Sequence, residues 1–176
     1  MGSPEIPIDV DAQTGIWRTD GLPMIYLPRH FLVNNHVAVE EALGRDAYRK
    51  ILSAATEKSA LHWCRSEAKT HGLAPEATFR HYFKRLSQRG WGQFSVALLD
   101  ARARLCRIEL LNSVFVLETE ASSPSPRCFM FEGFVSGALQ FLLDAEGLMP
   151  GKDSVSCAES QCASGKLHDR CVFETR

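Results

Sequence analysis

The chain has 176 residues, of which 45% are hydrophobic and 23% are charged, and its formal net charge is −1. This length suits one domain with a substantial core, and this charge balance gives no support to nucleic-acid binding. No apolar run approaches the roughly twenty residues of a membrane helix, and the N-terminus lacks a signal-peptide pattern. We therefore expect a cytoplasmic protein without a membrane partner.

The beginning of the chain predicts an irregular lead-in over residues 1–22, which are polar and contain prolines. Residues 24–33 are apolar and predict a short strand, which Pro28 would limit to an edge or a break. Asn34 and Asn35 then provide candidate N-caps for a helix over residues 36–43.

Two longer helices are predicted next. The first runs from Arg45 to about His71, where Gly72 is the expected C-terminal stop. Pro75 begins the second, because proline is tolerated in a first helical turn. Apolar residues recur in this second helix at the spacing of one buried face, namely Phe79, Tyr82, Phe83 and Leu86.

The period of the apolar residues then changes from helix to strand. Alternating apolar positions around residues 94–98 and 106–110 predict an antiparallel hairpin with one buried face, and residues 112–118 would extend its second strand. Residues 118–127 are polar and contain two prolines, which predicts a loop, and residues 133–144 predict a helix. Its two glycines, four residues apart, would allow a close approach of this helix to the sheet.

The last fifty residues contain four of the six cysteines, namely Cys128, Cys157, Cys162 and Cys171. A thiolate-rich cluster suits a tetrahedral zinc ion, which also accepts a carboxylate ligand such as Glu159. The spacing matches no common zinc motif, so unconnected thiols are the alternative. The other two cysteines lie beside apolar residues and are expected in the core.

The order Cys128, FEGFVSGAL, Glu-x-x-Cys, a polar turn and Cys-Val-Phe resembles the C-terminal half of the 4-vinyl reductase domain. That family includes the bacteriochlorophyll-pathway 4-vinyl reductase and sensory domains of bacterial regulators that detect phenol and other aromatic compounds. The resemblance implies a structural zinc held by Cys128, Glu159, Cys162 and Cys171. Cys157 is an alternative to Glu159, because both lie on one face of a strand.

Candidate ligand-binding residues come from the helical region. Trp63 and Trp91 flank it and would wall an apolar pocket, since aromatic side chains usually line such sites. His81 lies opposite the apolar face of its helix and would line a cavity only if that second face is also covered. Ordinary core packing is the alternative for both tryptophans.

The fold class expected is α+β, with helices packed on one face of an antiparallel sheet, in a single domain of residues 23–176 with a C-terminal Cys-rich hairpin. The resemblance implies a stand-alone bacterial protein that binds a small apolar or aromatic ligand between the helices and the sheet. The alternatives are a reductase or reductase accessory acting on a tetrapyrrole vinyl group, and a subunit or assembly protein in a catabolic pathway. Whether the protein is an enzyme is left open, and a homodimer is one candidate assembly.

Overall fold

The computed structural model describes residues 6–117, 127–148, 154–164 and 168–176. The helices in these residues are α1 (Arg29–Leu43), α2 (Arg45–His71), α3 (Pro75–Gln88), α4 (Val114–Leu117) and α5 (Phe129–Ala145). The strands are β1 (Asp9–Val10), β2 (Trp17–Thr19), β3 (Leu22–Met24), β4 (Gln93–Asp100), β5 (Leu105–Leu111), β6 (Cys157–Gln161) and β7 (Cys171–Thr175).

The strands form two antiparallel sheets. The smaller has the order β1-β2-β3, and the larger has the order β4-β5-β7-β6, so that β7 lies between β5 and β6. Ile108 and Leu110 of β5 are fully buried on the face that the helices cover. Arg107, the residue before Ile108, pairs with Glu174 of β7 on the opposite face. The predicted α+β class, with helices on one face of an antiparallel sheet, is confirmed.

Helices α2 and α3 have the predicted bounds. Gly72 ends α2 in the left-handed conformation, with φ of 62°, and donates its N–H to Ala68. Glycine adopts this conformation without the steric cost that a Cβ would bring. Pro75 is the first residue of α3. The predicted apolar face of α3 is buried at all four of its positions.

Helix α5 is the most deeply buried element, with 14 of its 17 residues buried. It contacts α2 on one side and strands β6 and β7 on the other. Its glycines were expected to face the sheet, and that expectation is wrong. A Cβ on Gly133 would lie 2.2 Å from the carbonyl oxygen of Ser53, and one on Gly137 would lie 2.2 Å from that of Glu57. The glycines therefore allow α5 to approach the backbone of α2.

The N-terminal region departs from the sequence prediction. Residues 24–33 do not form one strand, because α1 begins at Arg29 directly after Pro28, whose ψ of 140° is extended. The fixed φ of proline and its missing N–H are tolerated at a helix start, which is why Pro28 precedes the helix. Residues 1–22, predicted as irregular, include β1 and β2. The domain boundary at residue 23 stays a prediction.

The predicted extension of β5 over residues 112–118 is also wrong. Asn112 has a φ of 55°, which ends the strand. The hydroxyl oxygen of Ser113 then accepts the N–H of Phe115 at 3.3 Å, and the short helix α4 follows. A serine that accepts a backbone N–H in this way favours a helix start over a strand. Most of the polar loop predicted over residues 118–127 lies outside the described residues.

We predict that Gly137→Ala destabilises the protein by about 3 kcal/mol, because the added methyl group would meet the α2 backbone. Urea denaturation followed by circular dichroism measures this change. Ala145→Ser is the control, since it also adds one heavy atom to α5, at an exposed position. The control should change the unfolding free energy by less than about 0.5 kcal/mol. Equal effects of the two substitutions would contradict the close packing.

His36 on α1 is enclosed by aromatic rings. Its ring centroid lies 4.5 Å from that of Phe115 and 4.8 Å from that of Phe129, and the residue is 5% exposed. Burial lowers the pKa of this imidazole to about 4, against an ordinary value of 6.5. The folded protein therefore holds His36 neutral under conditions in which the unfolded chain would protonate it.

We predict that His36 contributes to acid denaturation. A depressed folded-state pKa gives stability that is fully present above pH 6.5 and is lost as the pH falls towards 4, here by about 3 kcal/mol. Unfolding free energies of the wild type and of His36→Leu, measured from pH 7 to pH 4, should diverge by this amount. His30→Leu, which removes an exposed imidazole from the same helix, is the control. Parallel pH profiles for the wild type and His36→Leu would refute the prediction.

Candidate metal centre

Three elements of the C-terminal half converge on one buried cluster of polar side chains. Cys128 precedes α5, Glu159 lies on β6, Cys162 follows β6, and Cys171 begins β7. One ligand atom from each of these residues lies within 4.8 Å of the others. Cys162 is half-buried, and the other three residues are buried. These are the four residues that the resemblance implies as metal ligands.

The sulfur separations match a tetrahedral metal site. The Sγ atoms of Cys128 and Cys171 are 3.5 Å apart, and those of Cys171 and Cys162 are 3.9 Å apart. Thiolates bound to one zinc at the usual bond length would be separated by about 3.8 Å, the edge of the tetrahedron. All six cysteines are free thiols. The cluster could therefore hold a metal ion.

The carboxyl group of Glu159 has one oxygen available to a metal. Its Oε2 atom accepts the backbone N–H of Cys128 at 3.0 Å. Its Oε1 atom is buried and has no hydrogen-bond partner among the described residues. Burial raises the pKa of this carboxyl group to about 9. A divalent cation would reverse that shift by favouring the ionised form, and it would use the unpaired oxygen.

The thiols of the cluster have unequal acidity. Burial raises the pKa of Cys128, whereas hydrogen bonds from Cys128 and Cys171 lower the pKa of Cys162. Ionisation is therefore easier at Cys162 than at Cys128. Because metal ligands must be deprotonated, metal binding here would release protons.

A partly buried ion pair anchors the cluster to the helices. Glu132 of α5 accepts two hydrogen bonds from the guanidinium of Arg49 on α2, and the bond from Nε to Oε2 is 2.8 Å long. The Oε1 atom of Glu132 also accepts the backbone N–H of Glu159 at 2.8 Å. Glu132 therefore fixes the segment of β6 from which Glu159 reaches the cysteines.

Cys157 does not belong to the cluster. Cys157 lies two residues before Glu159 on β6. Its backbone N–H donates to the hydroxyl oxygen of Ser136 at 2.9 Å. Burial raises the pKa of the Cys157 thiol to about 12, so it is a protonated side chain in the core. Cys64 and Cys106 are also buried, as expected.

The three candidate ligand-binding residues lie in two places. Trp63 stacks on His81 with a centroid separation of 5.7 Å. His81 faces away from the buried stripe of α3, and its Nε2 atom lies 3.2 Å from Oε2 of Glu67. Trp91 packs edge-on against Phe134, with centroids 6.1 Å apart. Tyr82 links the two places, because its ring contacts both Trp63 and Phe134.

Sequence reasoning missed two features. One is a groove of about 350 Å³ between α3 and β4, which none of the three candidate residues lines; its lining residues are Arg80, Phe83, Lys84, Ser87, Gln88, Phe94 and Val96. The other is a polar cluster of Asp20, Glu67 and His81. His71 adjoins this cluster, with its Nε2 atom 3.3 Å from Oε2 of Glu67. The four-residue spacing of Glu67 and His71 on α2 is a local signal in the sequence, whereas Asp20 comes from a distant turn.

Two solved structures share this fold. The phenol-responsive sensory domain of the transcription activator PoxR, determined with phenol, has a TM-score of 0.71 and 16% identity, over 96% of this chain and 83% of that one. A trafficking protein particle complex subunit 3 from Naegleria fowleri, covalently bound to palmitic acid, has a TM-score of 0.57 and 15% identity, over 84% and 93%. At these identities the likeness concerns the fold.

Sequence comparison gives the family. No curated protein sequence matches the chain. Within the described residues, no helix has the length and apolarity needed to cross a membrane. The profile of the domain of unknown function DUF5943 matches residues 2–97, which are more than half of the chain. The chain therefore belongs to the DUF5943 family.

Proposed function

We propose that this protein binds a small apolar or aromatic molecule between its helices and its larger sheet, as a 4-vinyl reductase-like domain with a structural zinc ion. The observation that carries the proposal is the shared fold with a sensory domain that was determined with phenol. The second neighbour holds palmitic acid, which is also apolar. The two neighbours of this fold are thus found with apolar molecules of different shape.

A connected set of aromatic rings supports this placement of the ligand. The ring centroids of Trp63 and Tyr82 are 4.9 Å apart, and those of Tyr82 and Phe134 are 6.0 Å apart. Trp91 packs edge-on against Phe134. Edge-to-face contacts of this kind have modest energies that a guest ring can replace. A single-ring ligand would therefore insert among these side chains without exposing them to water.

Zinc is the metal that fits the cysteine cluster best. Three thiolates and one carboxylate are ligands that zinc accepts, and the sulfur separations match its tetrahedral bond lengths. All four positions are filled by protein, which is typical of a structural rather than a catalytic ion. The ion would fasten β6 and β7 to the start of α5.

We predict that Glu159→Ala weakens zinc binding whereas Cys157→Ala leaves it unchanged, because only Glu159 lies among the other three ligands. Zinc content per chain, measured by elemental analysis after gel filtration, should fall clearly below one for Glu159→Ala alone. X-ray absorption at the zinc edge of the wild type should show three sulfurs and one oxygen. Four sulfurs would assign the fourth position to Cys157 instead, and a wild type without zinc would remove the metal from the proposal.

We predict that phenol and indole each bind the wild type saturably. Trp91→Leu should weaken the affinity at least about tenfold, because it removes an aromatic wall while keeping an apolar side chain. Trp17→Leu is the control, since Trp17 is 40% exposed in the small sheet, far along the chain from the aromatic set. Isothermal titration calorimetry gives the affinities. The absence of heat with either probe, or equal affinities for both variants, would contradict the proposed pocket.

A role as a subunit of an assembly is the second candidate. Ile25 and Tyr26 are 81% and 87% exposed, and Phe31 nearby on α1 is 60% exposed. Adjacent exposed apolar side chains of this size are typical of contact surfaces between proteins. The fold is also shared with a subunit of a trafficking complex. Light scattering of the purified protein distinguishes a monomer from a self-assembled form.

A further inference from the structure

A second group of metal-binding side chains lies at the other end of the helices from the cysteine cluster. Asp20 occupies the turn between β2 and β3, where it and Gly21 both have positive φ, as a two-residue hairpin turn requires. Glu67 and His71 are one turn apart near the end of α2, and His81 projects from α3. The hairpin turn thus places Asp20 beside the junction of α2 and α3.

The nitrogen and oxygen atoms of this group converge. Oε2 of Glu67 lies 3.2 Å from Nε2 of His81 and 3.3 Å from Nε2 of His71. The same nitrogen of His71 lies 3.7 Å from Oδ1 of Asp20. Ligands bound to one zinc through nitrogen and oxygen would be separated by about 3.4 Å, given the usual bond lengths. One ligand atom from each of Asp20, Glu67 and His81 lies within 4.8 Å of the others, and His71 adjoins this group through Oε2 of Glu67.

The side-chain carboxylates of Asp20 and Glu67 are buried, and one oxygen atom of each makes no hydrogen bond within the described residues. The side chain of Glu67 is fully buried and that of Asp20 is 2% exposed. Oε1 of Glu67 and Oδ2 of Asp20 have no hydrogen-bond partner among the described residues. Leaving such acceptors unpaired is costly, so these atoms call for a group that the protein itself does not supply. His71 is 39% exposed and His81 is 23% exposed, so the group is open to solvent on the histidine side.

Neighbouring arginines do not satisfy these carboxylates. Arg85 donates to Oδ1 of Asp20 at 2.8 Å and leaves Oδ2 unpaired. Arg89 lies over the ring of Trp63, with its Cζ atom 5.3 Å from the centroid, and two of its nitrogens also lack partners. The arginines offset the negative charge and would moderate the affinity for a cation. They leave Oε1 of Glu67 and Oδ2 of Asp20 without a hydrogen-bond partner among the described residues.

We propose that Asp20, Glu67 and His81, with the adjoining His71 as fourth ligand, form a second binding site for a divalent transition metal ion, with zinc as the ion that the separations fit. Two imidazoles and two carboxylates suit zinc and its first-row neighbours better than calcium or magnesium. The site contains no sulfur, and its histidines face solvent, so the ion would exchange more readily than one held by the cysteine cluster. The proposal does not rest on the proposed ligand binding or on the cysteine cluster.

Cobalt titration of the full chain separates the two sites. Co²⁺ bound by the cysteine cluster would give an intense sulfur-to-metal charge-transfer band, whereas Co²⁺ at the second site would give only weak ligand-field bands. We expect a second equivalent of Co²⁺ that adds no charge-transfer intensity. Cobalt binding at the second site is detectable even if the cysteine cluster takes no metal, because the ligand-field bands of the second site would then appear alone.

Substitutions identify the ligands. His71→Ala and His81→Ala should each lower the affinity for the second equivalent at least about tenfold, while any charge-transfer band stays unchanged. His62→Ala, which removes an exposed histidine from the same helix α2, should have no effect. His71 is partly exposed, so its variant is expected to fold, and circular dichroism checks this. A wild type without ligand-field bands, or a second equivalent that survives both substitutions, would overturn the proposal in favour of water at the site or adventitious surface binding.

Discussion

The close approach of α5 to α2 is the constraint on which the remaining structure depends. Gly133 and Gly137 place the α5 backbone against carbonyl groups of α2, at distances that leave no room for a Cβ. This approach lets α5 occupy the space between α2 and the larger sheet, with nearly all of its residues buried. The aromatic set includes Phe134 of this helix, and the cysteine cluster includes Cys128, the residue directly before it.

The same helix couples the core to the candidate metal centre. Glu132 pairs with Arg49 on one side and accepts the backbone N–H of Glu159 on the other. A partly buried charge pair of this kind contributes little net stability, but it strongly penalises arrangements in which one partner is lost. It therefore selects one position of β6 relative to α5, and with it the position of the carboxylate among the thiols. A metal ion would bind an arrangement that the protein has already organised.

Local signals in the sequence were enough to predict the helical hairpin and the β4–β5 hairpin. Gly72 and Pro75 mark the junction of α2 and α3 by backbone conformation alone, and the apolar face of α3 follows from spacing. Pro28 was misleading, because the same residue is compatible with a strand edge and with the residue before a helix. Asn112 ended β5 through a positive φ that its residue type permits but does not require.

The two polar clusters differed in how far the sequence could predict them. The cysteine cluster was identified through a resemblance over one continuous region, in which residue order survives. The group around Glu67 joins a hairpin turn to two helices, so its members are brought together only by the tertiary structure. Periodicity cannot detect such a group, because each member taken alone is an ordinary polar residue of its own element.

The burial of α5 on both sides has a consequence for how variants of this protein would behave in a cell. A helix that is buried around nearly its whole circumference offers almost no face to water in the folded protein, so a partly unfolded state exposes a largely apolar segment. Such states are removed by chaperones and proteases, and a loss of one or two kcal/mol is enough to lower abundance several-fold. Damage to this helix would therefore be seen first as a reduced amount of protein, before any change in what the surviving molecules bind.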